Sequence, residues 1–231
     1  EVLVFLDADI TLAENWCENL IKDYRIWPND RLIITGSRCL TSDSGGFIEN
    51  NWFKHLTRTN SKYINSGHLI TTRIMHEKIG GFNENLKTSE DHDYCLRASR
   101  KNSEIRPNSN LKAYHHGYPT TMIKFIAREA WHGKEDTSSF YKFINSKTAI
   151  LAVSNFLLLS APPFIYALSG NIGMAVTPLI FSVLLCILLT PLKFGPQPKK
   201  QWLKTAICFE LYLLGRATSI LFNKKRPAAR T

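Results

Sequence analysis

The sequence predicts an α/β domain of Rossmann-like type followed by a C-terminal α-helical membrane region, and three observations carry that prediction. The chain opens on a continuous apolar run, Val2-Leu3-Val4-Phe5-Leu6, that stops at Asp7-Ala8-Asp9. Segments of strand and helix character then alternate as far as His116, the order expected of an α/β sheet. Beyond them, residues 148–192 run for 45 positions without Lys, Arg, Asp or Glu, whereas residues 1–147 hold 20 basic and 18 acidic groups. The predicted organisation is therefore an α/β domain over 1–147, a two-helix transmembrane hairpin over 148–192, and a basic juxtamembrane region with an interfacial helix over 193–231.

Each element has a local reason. The β-branched and aromatic run at 2–6 predicts a strand buried on both faces of a parallel sheet, and the carboxyl end of such a strand is where open α/β sheets bind ligands. Residues 13–27 place Trp16, Leu20, Tyr24 and Trp27 at helical spacing, with Pro28 closing the helix. A strand at 32–36 follows. Residues 41–61 mix Ser, Asp, Gly and Asn with Phe47, Trp52 and Phe53, predicting a long loop and a short helix over a cleft. Next come a strand at 65–72, a helix at 74–79 and a Gly80-Gly81-Phe82 turn. Ser89 or Thr88 is expected to cap a helix over 90–101, which starts acidic and ends on Arg97, Arg100 and Lys101 as the helix dipole favours. A last strand is predicted at 111–115.

From 120 to 145 the pattern is helical and amphipathic, interrupted at His132-Gly133-Lys134. The apolar segments 149–168 and 172–192 each have the roughly 20 residues that a bilayer crossing needs. Pro162-Pro163 and Pro178 are expected to kink them, which membrane helices tolerate. Residues 203–222 carry Lys204, Glu210 and Arg216 between basic flanks (Lys193, Lys199, Lys200; Lys224, Lys225, Arg226). That helix is expected to lie along the membrane surface, giving a multi-pass protein with its α/β domain on the cytoplasmic face.

The net charge of +10 is concentrated in the tail: the last 39 residues hold nine basic groups against Glu210, a net +8. Positive charge beside an apolar block fits a lipid bilayer, and without interleaved aromatic residues it argues against nucleic acid. The five cysteines are scattered and form no Cys-x-x-Cys pair. Isolated buried thiols in a reducing compartment are expected, not a disulfide framework or a zinc site.

Four groups of residues could carry chemistry. Asp7 and Asp9, two apart at a strand end, can share one Mg²⁺ or Mn²⁺ that neutralises a nucleoside diphosphate; the alternative is that Asp9 and Thr11 cap a following helix. In Glu90-Asp91-His92-Asp93, Asp91 is the candidate base for a sugar hydroxyl, although acidic residues also favour a helix start without catalysis. One of His115 and His116 could complete the metal's coordination or touch phosphate, or both could be structural. Arg128 and Trp131 share a helical face and could grip pyrophosphate and stack on a sugar, or belong to a membrane-proximal amphipathic helix.

VLVFLDADI, IGGFNENLKTSEDHDYCLR, YHHGYP and REAWHG stand in this order before the apolar hairpin, and together they make the chain resemble the family 2 glycosyltransferases of GT-A fold. The resemblance implies a membrane-anchored inverting transferase. Asp7 and Asp9 then correspond to the metal-binding Asp-x-Asp, Asp91 to the catalytic base, and Gly81-Phe82, with Glu90, to the acceptor side. A nucleotide-sugar donor and a glycan or lipid-linked acceptor are implied as partners. The family's processive synthases carry Gln-x-x-Arg-Trp where this chain has Arg128-Glu-Ala-Trp131, which speaks against polymer synthesis coupled to export. Family members also place base-binding β/α units ahead of Asp-x-Asp, so the sequence is expected to be a fragment that lacks them.

Two rival readings stand beside this one. LDADITL also resembles the nucleophile motif of haloacid dehalogenase-type phosphatases, with Asp7 attacking phosphorus and Asp9 as acid/base. That fold needs a second acidic pair after an apolar strand, whereas Glu90-Asp91 follows the polar stretch Leu86-Lys87-Thr88-Ser89. The other rival is a non-catalytic, degenerate membrane scaffold.

Overall fold

A computed structural model describes residues 1–41, 45–56, 63–86, 88–196 and 198–223. The chain forms two compact units, 1–45 with 53–118 and 46–52 with 119–231. Unit 1 is mixed α/β and unit 2 is helical.

Unit 1 contains, in chain order, β1 (Val2–Leu6), β2 (Ile10–Leu12), α1 (Trp16–Tyr24), β3 (Ile33–Gly36), α2 (Lys54–Leu56), β4 (His68–Thr72), α3 (Arg73–Ile79), α4 (Glu90–Ser99), β5 (Glu104–Pro107) and β6 (Ala113–His115). A wide helical turn at Glu49–Phe53 precedes α2. Four strands form one sheet in the order β1-β4-β3-β5, and β2 pairs with β6 in a second, two-stranded sheet. Within this sheet β3 and β5 pair in parallel, and β4 is antiparallel to both β1 and β3.

This corrects the expectation for residues 2–6. The strand forms, but it has one neighbour among the described residues, and that neighbour is antiparallel. Its side chains are not buried on both faces: Val4 and Leu6 are about two-fifths exposed, while Phe5 packs into the core against Phe82. A continuous apolar run reports β propensity without reporting how many strands flank it.

The central strands are fully covered. Ile34 and Leu69 face a core with Met75, Ile79, Tyr94 and Cys95, and Ile33 and Ile70 face Trp16, Trp27 and Leu111 on the other side. Removing this apolar surface from water supplies most of the favourable folding energy. Helix α1 is also held through Asp23, whose carboxylate accepts from Trp27 Nε1 at 3.0 Å and from Arg106 at 3.2 Å.

Strands β2 and β5 have no signature in the sequence, because three residues of Ile-Thr-Leu and a polar Glu-Ile-Arg-Pro carry no usable periodicity. The capping expectation at α4 also fails. Ser89 adopts a left-handed conformation (φ 64°) and its side chain caps nothing, while the buried Thr88 hydroxyl has no partner among the described residues. Instead, Asp91 Oδ1 accepts the His92 N–H at 2.7 Å. At the Gly80-Gly81 turn both residues have positive φ, 79° and 71°, which only glycine adopts without strain.

Unit 2 comprises the segment 46–52 and helices α5 (Met122–His132), α6 (Phe140–Asn145), α7 (Lys147–Ser160), α8 (Pro162–Ser169), α9 (Ile172–Phe194) and α10 (Lys199–Thr218), ending in a 3-10 turn at Ser219–Asn223. Trp52 sits in a ring cluster with Phe125, Phe194, Phe209 and Tyr212, and the Lys193 ammonium lies 4.4 Å from the centre of the Tyr212 ring. Gly215 lets α10 approach α5 closely, since a Cβ there would lie 2.8 Å from the Ile126 carbonyl.

Among the described residues, α9 is the one helix long and apolar enough to cross a membrane by itself, and it continues through Pro178. The first apolar segment is broken: α7 and α8 are bent by 42° at Ala161, just before Pro162-Pro163, where N–H donors are missing. They reach spanning length only as a bent pair, a geometry shared by broken spans and re-entrant loops. Helix α10 runs antiparallel to α9, with Trp202 Nε1 donating to the Ile187 carbonyl and Cys186 to Glu210. The basic residues 224–226 lie outside the described residues. Cys95, Cys186 and Cys208 are buried free thiols as expected, but Cys17 is exposed and Cys39 half-buried.

Candidate functional site

The first cluster is built by a turn and a long-range strand pairing. Ile10 N–H donates to the Asp7 carbonyl at 3.2 Å, closing a turn over 7–10 that puts Asp7 and Asp9 at the end of β1. The helix-cap alternative is excluded, because the next element is β2 and α1 begins only at Trp16 after Asn15. Pairing of β2 with β6 sets Ile10 opposite His115, and His116 N–H donates to the Asp9 carbonyl at 2.9 Å.

The result is that one ligand atom each from Asp7, Asp9 and His115 lies within 4.8 Å of the others. His116 turns elsewhere, with Nε2 at 2.9 Å from Thr11 Oγ1. Two exposed carboxylates and a half-buried imidazole form an oxygen-rich donor set with one nitrogen, which suits Mg²⁺ or, with the imidazole, Mn²⁺. Two glycines make room for the carboxylates. A Cβ on Gly67 would lie 2.6 Å from Asp7 Oδ2, and a Cβ on Gly117 would collide with Asp9 Oδ2.

The tautomer of His115 matters here. Gly117 N–H donates to His115 Nδ1 at 3.1 Å, so the neutral ring carries its hydrogen on Nε2, which faces Asp9 Oδ2 at 3.5 Å. Holding a cation through Nε2 would require the hydrogen on Nδ1 and would cost the Gly117 contact. The ring also lies 4.4 Å from that of Tyr118. The negative field of the pair reaches Cys39: burial, reinforced by the charges of Asp7 and Asp9, pushes its thiol up to about 12.

Asp91 occupies a different environment in the first turn of α4. It is buried, and burial raises its carboxyl above the usual range; the His92 N–H opposes the rise and the Glu90 charge adds to it. Asn65 Nδ2 donates to Asp91 Oδ2 at 3.1 Å and Ser66 Oγ to Glu90 Oε1 at 2.8 Å, while Asp7 N–H donates to the Gly67 carbonyl at 3.2 Å. Three consecutive residues thus touch both acidic clusters. The local pattern predicts a strand over 65–72, whereas Asn65, Ser66 and Gly67 form a turn ahead of β4. The Asn-Ser-Gly composition, which favours turns, was the available signal.

The remaining candidates are placed as follows. Phe82 is half-buried, 5.1 Å from the Phe5 ring and 4.5 Å from that of Tyr94, and Gly81 N–H donates to the His76 carbonyl. Arg128 and Trp131 belong to α5 of unit 2, where Arg128 pairs with buried Glu129 at 2.7 Å and Trp131 is about half exposed.

No family model matches the chain. The sequence is similar to the pre-mycofactocin glycosyltransferase of Mycobacterium tuberculosis, in two strains alike, at 22% identity over 170 residues. The match takes in 69% of this chain and 36% of that protein, so the chain spans about a third of the length of the curated relatives it matches. The distant relative is thus a glycosyltransferase.

Proposed function

We propose that this chain carries the metal-binding and acceptor-side part of a glycosyltransferase that moves a sugar from a nucleoside-diphosphate donor to a glycan or lipid-linked acceptor at a membrane. The observation that carries the reading is the convergence of Asp7, Asp9 and His115 at strand ends, with a buried carboxylate, Asp91, tied to the same short turn. The distant likeness to a glycosyltransferase supports it. Unit 1 would then belong to a family 2 domain of GT-A fold.

Asp7 and Asp9, with His115, would hold a divalent cation, which when bound supplies positive charge against the pyrophosphate of the leaving group. Asp91 takes the proton of the acceptor hydroxyl. The freed oxygen attacks the anomeric carbon, the bond from that carbon to the diphosphate oxygen breaks, and the electron pair leaves with the nucleoside diphosphate. One base and no enzymic nucleophile give a single displacement and inversion. Burial suits Asp91 to this task, because a carboxylate made more basic by desolvation is the better proton acceptor. Arg128 and Trp131 are candidate donor contacts, and Gly81, Phe82 and Glu90 candidate acceptor contacts.

The membrane reading rests on α9 and on the bent pair α7–α8, whose exposed side chains include Phe164, Leu168, Leu188 and Leu192. If the pair spans, the protein is multi-pass, and the basic residues that follow α9 favour the cytoplasmic face for the side from which the hairpin starts and to which it returns. The test is turnover by the full-length protein with UDP-, GDP- and dTDP-hexoses and Mn²⁺, alongside Asp9→Ala and Asp91→Asn. Both variants are expected to lose transfer. Wild-type transfer by both, or steady phosphate release from a phosphate monoester by the parent, overturns the reading.

A further inference from the structure

We propose that Asn65 is a positioning residue for the transfer reaction: the Asn65–His68 turn fixes the Asp91 carboxylate in place relative to Asp7. This rests on the reading of Asp91 as the base. The turn is closed by His68 N–H donating to the Asn65 carbonyl at 3.1 Å, and its far end is anchored in the core. His68 is fully buried; Trp16 Nε1 donates to its Nε2 at 2.9 Å, and its Nδ1 lies 3.0 Å from Ser37 Oγ, which in turn donates to the Leu111 carbonyl. Accepting from Trp16 puts the neutral ring's hydrogen on Nδ1, which lies within 3.3 Å of the N–H, hydroxyl and carbonyl of Ser37. A turn tied to so constrained a residue has little freedom.

From that anchor each residue reaches an acidic group. Gly67 touches Asp7 through its carbonyl and through the space left by its missing side chain. Ser66 holds Glu90 through its hydroxyl and favours ionised Asp91 through its N–H. Asn65 donates to Asp91 Oδ2, while His92 N–H donates to Oδ1. Both carboxylate oxygens are therefore held by fixed donors, and Asn65 supplies the side-chain donor on Oδ2. Without the Asn65 amide the carboxylate loses the side-chain donor on Oδ2, and its ionised form loses a stabilising partner. Among the described residues, the titratable groups facing Asp91 are Glu90 and Cys95 on its own helix; Asn65 and Ser66, facing it from the turn, are uncharged.

Asn65 is exposed, so Asn65→Leu, of similar shape without a donor, and Asn65→Asp, which sets a like charge beside Asp91, leave the core untouched. The measurement is a pH titration of the Asp91 carboxyl by ¹³C NMR in the full-length protein, assigned by its loss in Asp91→Asn. It is run beside nucleoside diphosphate release from the sugar-nucleotide panel with Mn²⁺. Both variants are expected to raise the Asp91 midpoint and the acidic limb of kcat/KM, Asn65→Asp further than Asn65→Leu. The Leu variant is expected to lower kcat on the order of tenfold with the donor KM held. An unchanged midpoint and acidic limb in both variants overturns the positioning role while leaving Asp91 as the base. Wild-type turnover by Asp91→Asn instead removes the base reading, and the role of Asn65 with it.

Discussion

Asp7 and Asp9 on one side, and Asp91 on the other, are the same side chain put to opposite uses. The first two lie exposed on a turn, each beside a glycine that leaves its carboxylate room, and share an imidazole neighbour. Asp91 is buried at a helix start, where desolvation raises its affinity for a proton and two donors hold it. An exposed, converging pair is suited to a cation, and a buried, oriented carboxylate to accepting a proton. Environment assigns the role.

The largest expected break in this comparison is Asp91→Asn, which removes the proton acceptor while keeping the shape. Turnover is expected to fall by roughly 10²- to 10⁴-fold, the span of general base catalysis, with Mn²⁺ affinity by isothermal titration unchanged. If Mn²⁺ affinity fell too, the two environments would be one site.

Gly117→Ala is the complementary break. A methyl group there collides with Asp9 Oδ2, so Mn²⁺ affinity is expected to drop on the order of tenfold while the Asp91 carboxyl titrates as before. The histidines sharpen the same side. His115→Ala is expected to weaken Mn²⁺ binding about tenfold, and His116→Ala, whose ring faces Thr11, to change it less than about twofold. Equal effects would assign the nitrogen ligand wrongly.

The smallest effect belongs to the anchor of the turn. Burial lowers the pKa of His68, so the folded state holds the ring neutral where the unfolded chain already binds a proton. The unfolded state then takes up more protons below the ordinary value of about 6.5, and stability falls as pH drops from there toward the folded value. The slope is at most about 1.4 kcal/mol per pH unit, and thermal melts between pH 7.5 and 5 should show it flattened in His68→Gln.

Much of the fold could be read from the chain. The β1 run, the pattern of α3 with its Gly-Gly turn, α4 and the long apolar helix α9 were all legible, because each is written in local propensity or periodicity. β2, β5 and the caps of α4 were not. Three-residue strands exist only because a partner offers hydrogen bonds, as Ala113–His115 does for Ile10–Leu12. The strand 2–6 formed where expected, but its neighbours and exposure were invisible, since flanking strands come from distant residues.

The candidate site divides in the same way. Asp7, Asp9 and Asp91 were picked out by residue type and spacing, and the His pair was singled out without distinguishing its members. Only the β2–β6 register sets His115 toward Asp9 and leaves His116 on Thr11. Only the docking of the 65–68 turn between two acidic clusters reveals Asn65 and Gly67. The sequence by itself determined which chemical groups were available and which segments were apolar, because composition and short-range pattern are local properties. Tertiary structure alone decided which groups meet and which are desolvated, because both depend on pairings between residues dozens to a hundred positions apart.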